Sequence, residues 1–319
     1  MREAVVLVVH GTVDELEDLP EFLRNIRRGH PAPPELIAEV RRRYEAIGGR
    51  SPLNAITREV AAKVESRLSV PTRMAGRLFR PYPTDVVREL AEAGVERIVS
   101  VPMAQHSAAI YAEAMTAAAR EHGLSIANAP NWGREPSLTR AYADALACTL
   151  AGVPEHERNK TTVILSAHSL PVAVVRGGDP YEDEVRASAA AIADAVGEGM
   201  PRWTVVFQSQ GMSAGPGGRP IEWLGPGLEA ALDEAKSRGD RHVVVAPVGF
   251  LADHVEILYD IDIEARAWAE ARGLTLHRTP SLNAGERLVE TIATVAGRLL
   301  SRPQSGATEG EGGLSHAGS

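Results

Sequence analysis

Short apolar runs rich in β-branched residues alternate along the whole chain with longer segments of helical periodicity. The runs are Val5 to Val9, Arg73 to Phe79, Arg97 to Val101 and Leu124 to Ala127 in the first half. In the second half they are Thr161 to Leu165, Thr204 to Phe207, His242 to Ala246 and Leu274 to Leu276. A repeated strand-helix pattern implies parallel strands in a sheet covered by helices. The chain is therefore expected to be an α/β protein of two similar domains. Each would hold a four-stranded parallel sheet flanked by helices, with a ligand cleft between them.

The halves also echo each other. Gly123-Leu-Ser-Ile126 precedes Pro136-Ser-Leu138 and a helix through Leu150, while Gly273-Leu-Thr-Leu276 precedes Pro280-Ser-Leu282 and a helix through Leu300. Duplication explains the kept order, although β-α units also resemble one another by chance. Its consequence is geometric: the first strand of each half runs into a histidine, so two facing halves would present His10 and His168 to one cleft. The expected domains are 1–150 and 159–302, followed by a disordered tail, 303–319, rich in Gly, Ser and Glu.

Composition narrows the class. With 319 residues the chain has room for two domains. A net charge of −8 argues against a nucleic-acid surface, which would be basic. No apolar stretch approaches the roughly 20 residues of a spanning helix, and Met1-Arg-Glu-Ala-Val lacks a signal-peptide pattern, so a cytoplasmic location is expected. Cys148 is the only cysteine, which excludes an internal disulfide framework and any cluster or zinc site built on several thiolates.

Ionisable chemistry is concentrated behind two of the strands. After Val243 to Val248 come Asp253, His254, Glu256, Asp260, Asp262 and Glu264. On a helix, Glu256, Asp260 and Glu264 would follow at i, i+4 and i+8 and share one face, repelling one another by roughly a few tenths of a kcal/mol per pair. A hard divalent cation would relieve that repulsion. A solvated acidic face is the ordinary alternative for such a run; the adjacent Asp253-His254 and the preceding strand favour a metal. The other strand, Thr161 to Leu165, leads into Ser166, His168 and Ser169, and Pro171 stops further pairing. That places the His168 imidazole at the carboxyl end of a strand, where open α/β sheets keep their ligands.

These segments, taken together, resemble the ferrochelatases, which insert ferrous iron into a porphyrin in haem synthesis. The matching residues are Ser166-Ala-His-Ser-Leu-Pro171, Gly178-Asp-Pro-Tyr181, Phe207-Gln-Ser209, Trp223-Leu-Gly-Pro226 and Pro247 through Glu264. Earlier in the chain they are His10-Gly-Thr12, Ile26-Arg-Arg-Gly29, Arg43-Tyr-Glu-Ala-Ile-Gly-Gly49 and Ser51-Pro-Leu53. The ordered set runs roughly from Val5 to Leu300.

The resemblance implies His168 and Glu256 as catalytic residues at the macrocycle centre, acting as metal ligands or proton acceptor. Asp260 and Glu264 would extend the metal-handling set, passing iron in or protons out. Expected porphyrin contacts are His10, Arg27, Arg43, Tyr44, Ser51 and Tyr111, with Arg77 and Phe79 as further wall residues. Guanidinium suits propionates because its donors bind carboxylate as a fork. His10 departs from the family, in which Tyr or Met usually occupies this position. Protoporphyrin IX and coproporphyrin III both remain open as substrates.

No cofactor beyond substrate Fe2+ is expected, and the cysteine count does not allow the four-cysteine 2Fe-2S cluster that some relatives carry. Partners would be porphyrin and ferrous iron, with a haem acceptor or peripheral membrane contact open, no nucleic acid, and a monomer or weak dimer. Two other readings compete. One is a chelatase of the same architecture for cobalt or nickel. The other is a haem carrier ligated by His10 and His168, which has little need of Glu256, Asp260 and Glu264.

Overall fold

The protein is described by a computed structural model that covers residues 2–211 and 220–300. The expected tail, 303–319, lies outside the described residues. Two sheets form, each of four strands, all pairs parallel. The first contains β1 (Glu3–Val9), β2 (Thr72–Gly76), β3 (Arg97–Pro102) and β4 (Ser125–Asn128). The second contains β5 (Thr161–His168), β6 (Arg202–Gln208), β7 (His242–Ala246) and β8 (Thr275–Arg278). Their orders, β2-β1-β3-β4 and β6-β5-β7-β8, are the same, as duplication requires. The inner strands are buried along nearly their whole length because helices cover both faces.

Between the strands lie α1 (Leu19–Ile26), α2 (Pro34–Ala46), α3 (Leu53–Leu68), α4 (Pro83–Glu92), α5 (Ala108–Glu121) and α6 (Pro136–Ala151). The second half adds α7 (Val172–Arg176), α8 (Tyr181–Val196), α9 (Leu228–Ser237), α10 (Val255–Leu258), α11 (Arg266–Ala271) and α12 (Glu286–Leu300). Proline in the first turn starts α1, α2, α4 and α6, where its missing N–H costs no helical bond.

β2 stops short of the expected Phe79. A Cβ at Gly76 would lie 2.2 Å from the Phe79 carbonyl oxygen, so the glycine lets the chain fold back on itself. The returning segment donates from Arg77 N to Val9 O (2.8 Å) and from Leu78 N to His10 O (2.9 Å), which fixes the turn after β1.

One hydrophobic core spans both halves, joining Leu7, Val99 and Val101 of the first sheet to Leu165, Phe207 and Val244 of the second. The last helix, α12, belongs to the second half by sequence but packs on α3, α6 and β3 of the first. Lys63 Nζ donates to Ala284 O (2.7 Å) and Arg97 Nη2 to Leu299 O (3.1 Å), anchoring both its ends. In the opposite direction, Gln105 Nε2 donates to Val248 O (3.1 Å) and the Tyr142 hydroxyl to Phe250 O (2.8 Å). First-half side chains thereby hold the loop that leaves β7.

Candidate active site

His168 is the last residue of β5, and Glu256 lies on α10 behind the β7 loop. Their side chains meet, His168 Nδ1 to Glu256 Oε2, at 2.9 Å. A carboxylate only accepts, so Nδ1 donates, and Nε2 of the neutral ring keeps its lone pair. The supports are specific. Tyr181 donates its hydroxyl to the His168 carbonyl (2.8 Å), and Gln208 Nε2 donates to the Glu256 carbonyl (3.0 Å). His254 donates from Nδ1 to Ala252 O (3.0 Å), and its Nε2 stands 3.9 Å from the same Glu256 oxygen.

The electrostatics follow from this contact. Burial alone would lower the His168 pKa, but the Glu256 charge and hydrogen bond, aided by Asp260, outweigh it and raise the value above 6.5. Burial would likewise raise the Glu256 pKa, yet His168 and then His254 hold it well below 4.5.

The regular helical face expected for Glu256, Asp260 and Glu264 does not form. Both Ile263 N (3.2 Å) and Glu264 N (3.0 Å) donate to Tyr259 O, which opens a π-helix over Asp260–Ala265 between α10 and α11. Such a widened turn holds one residue more than an α-turn and is frequent at functional sites. Asp260 is buried there, accepts from Ser209 Oγ (2.5 Å), and has Arg43 Nη1 3.5 Å from its other oxygen. Burial pushes its pKa up to about 6. The Ser209 hydrogen bond and Arg43 oppose the rise, and the charges of Glu256 and Glu264 reinforce it. The three carboxylates thus remain electrostatic neighbours, on an irregular segment rather than a uniform face.

His10 stands on the facing wall, directly after β1. Gly11 follows with φ +91°, and a Cβ there would lie 2.9 Å from Phe79 N, so the turn that carries His10 requires glycine. The imidazole opens to the cleft and touches the Phe22 ring edge-on. Although the side chain is solvent-accessible, desolvation by the protein around it lowers its pKa to about 4. Glu256 opposes the shift, while Arg77, His168 and His254 add to it. Glu256 therefore acts on both His10 and His168, which the structure brings to one cleft from opposite halves.

The remaining expected contacts divide. Arg27 is half-buried, with Nε donating to Pro31 O (3.3 Å). Arg43 binds Glu39 (2.7 Å) and Asp260, and lies over the Tyr259 ring at 5.3 Å, so it is engaged with the acidic segment rather than held clear for a propionate. Tyr44 is 1% exposed and shares a 2.7 Å hydrogen bond with Thr12, bracing the turn after His10 from behind. Ser51 is also buried, and its Oγ accepts from Leu53 N (3.4 Å) at the start of α3. Tyr44 and Ser51 are therefore wall supports. Tyr111 lies under the Arg77 guanidinium, 5.4 Å from the ring centroid. Among the described residues no three His, Cys, Asp or Glu side chains converge to hold a metal ion.

The sequence profile of the family described as Ferrochelatase matches residues 2–299. The chain belongs to the ferrochelatase family. It is 37% identical over 322 aligned positions to a ferrochelatase of Acidobacterium capsulatum, covering 95% of this chain and 96% of that protein. A coproporphyrin III ferrochelatase of Bacillus subtilis is 32% identical, covering 94% and 99%. Among solved structures, SirB from Bacillus subtilis with Fe3+ has the same fold at a TM-score of 0.57 and 14% identity, covering 94% of this chain and 96% of that one. This ferrochelatase inserts ferrous iron into a porphyrin in haem synthesis, with Fe2+ as a substrate. The sequence reading gave no role to Ser209 or Gln208, although both lie in a motif that carried the resemblance; their partners, Asp260 and Glu256, are distant in the chain.

Proposed function

We propose that His168 and Glu256 carry metal insertion, that His10 serves the opposite face of the macrocycle, and that the porphyrin is coproporphyrin III. The 2.9 Å contact between His168 and Glu256 carries the reading. Insertion requires the loss of both pyrrole N–H protons as iron enters the ring. His168 accepts the two protons in turn at Nε2, the first being passed outward before the second is taken, and Glu256 stabilises each imidazolium through Nδ1. The carboxylate partner makes His168 more basic than a free imidazole, which suits a proton acceptor. Asp260 and Glu264 then relay protons outward or iron inward.

His10 stays neutral at physiological pH, because its pKa lies near 4. It is a poor proton acceptor there, and a lone-pair donor available to iron. The macrocycle assignment draws on relatives named for coproporphyrin III, and its four propionates suit a wall carrying Arg27 and Arg77. The enzyme is read as cytoplasmic, a monomer or weak dimer, that hands its iron porphyrin to an acceptor or at a membrane surface.

His168→Ala should abolish anaerobic metallation while leaving porphyrin binding intact; near-normal turnover would remove the central claim. Coproporphyrin III should exceed protoporphyrin IX in kcat/KM by about tenfold or more, about 1.4 kcal/mol in transition-state binding. The reverse preference would reject the substrate assignment.

A further inference from the structure

Two carboxylates of the acidic segment, Asp253 and Asp262, take no part in the chemistry above, and one arginine holds both. Arg278 ends β8. Its Nε donates to Asp262 Oδ1 (2.7 Å) and its Nη1 to Asp253 Oδ1 (3.1 Å). All three side chains are largely shielded, at 17, 26 and 19% exposure respectively, so the contacts are not a loose surface pair. Asp253 is fixed further. Its Oδ1 also accepts from Ser281 Oγ (2.7 Å), its Oδ2 accepts from Asn283 Nδ2 (3.0 Å), and its backbone N–H donates to Asn283 Oδ1 (2.8 Å). Asn283 adopts φ +49° and donates its own N–H to Leu251 O (2.9 Å).

We propose that Arg278 is a positioning residue for metal insertion, acting as a clamp that sets the spacing of Glu256 and Asp260. Asp253 precedes Glu256 and Asp262 follows Asp260, so the guanidinium grips the reactive stretch from both flanks. The stretch needs such a grip. Its first helix is one turn, its next turn is π, and four carboxylates between Glu256 and Glu264 repel one another. Arg278, with Arg266 3.9 Å from Asp262, offsets the charge of Asp253 and Asp262 and so lowers the repulsion across the reactive stretch. Lysine cannot reproduce the arrangement, because a single ammonium lacks the planar fork that reaches two carboxylates at once.

The inference rests on the proposed roles of Glu256 and Asp260, and the experiment separates the two. Arg278→Gln, Arg278→Lys, Asp262→Asn and Glu256→Gln are made in the full chain. For each, iron kinetics, porphyrin affinity by fluorescence quenching and thermal midpoint are measured. A displacement of about 1 Å at a reacting group costs up to about a hundredfold, so Arg278→Gln should lower kcat/KM for Fe2+ by about tenfold or more. Asp262→Asn should lower it in the same direction but less, Arg278→Lys should fall between wild type and Arg278→Gln, and porphyrin affinity should hold in all three.

Because both substitutions break one contact, their effects should also be less than additive. Unchanged iron kinetics in folded Arg278→Gln or Asp262→Asn, or equal losses for iron and porphyrin, would overturn the clamp. If Arg278→Gln does not fold, Arg278→Lys and Asp262→Asn decide the matter by the same criteria. Normal turnover in Glu256→Gln sinks the underlying reading; a slow Glu256→Gln beside normal Arg278 and Asp262 variants sinks only the clamp.

Discussion

His10 and His168 occupy equivalent places, each at the carboxyl end of the first strand in its half, yet their basicities move in opposite directions. Both are desolvated in the same cleft. Desolvation pushes His10 down to about 4, whereas Glu256 outweighs the same penalty at His168 and raises it. The difference lies in one hydrogen-bonded carboxylate. The first half offers His10 only the edge of Phe22 and the positive charge of Arg77; the second half supplies an acidic segment. A repeated scaffold thus gives two imidazoles of distinct basicity, because only the second half sets a carboxylate against its strand-end histidine.

Removing the carboxylate should erase the contrast. Glu256→Gln keeps the shape and deletes the charge, and turnover should fall by about a hundredfold or more, within the range for loss of acid-base catalysis. The sign of the pH effect is set by the same contact. If His168 is the proposed base, activity requires its Nε2 unprotonated, so the rate should rise as pH passes up through its raised pKa. Without Glu256 that pKa drops, and the residual activity should retain its plateau to lower pH. A pH-rate profile whose acidic limb stays in place would show that the limb does not belong to His168.

Asp260→Asn should cost less. It removes a carboxyl whose pKa is pushed up to about 6, on the proposed iron or proton route, so the loss should be greatest at limiting Fe2+ and smaller at saturation. Glu264→Gln, half-buried further along, should lose less again in the same pattern. Equal losses independent of iron concentration at both positions would detach them from the supply route.

The smallest rate effect is expected from the other wall. His10→Met removes an imidazole that is already neutral, so metallation should change by only about a few fold. Product release should quicken, and the absorption and electron paramagnetic resonance spectra of the haem-bound protein should change. Unchanged spectra would mean that His10 does not reach the metal, leaving the contrast between the walls electrostatic only.

The sheets were legible because strands buried on both faces must be continuously apolar, as Val243 to Ala246 is. β2 was read too long because Leu78 and Phe79 are apolar for packing below the turn, not for strand pairing. His168 and Glu256 could be named from motifs, but the π-turn could not, since i, i+4 spacing reads equally as an α-helix. Tyr44 looked available for substrate because its partner Thr12 is remote in sequence. Arg43 looked free for a propionate because Asp260 faces it only after the halves come together. What escaped the sequence in each case was a long-range polar pairing.

Gln105 and Tyr142 reach from the first half to carbonyls of the loop leaving β7, while α12 crosses the other way to pack on the first half. A chain made by doubling a unit begins as two modules, each able to fold alone. Here each copy leans on the other: the loop ahead of Glu256 is held by side chains of its neighbour, and α12 packs on the neighbour's core. Any opening of the cleft would have to bend about this seam, whose contacts restrain the loop ahead of Glu256. Breathing motions that admit a flat macrocycle should therefore be largest at the mouth, while the loop ahead of Glu256 moves least.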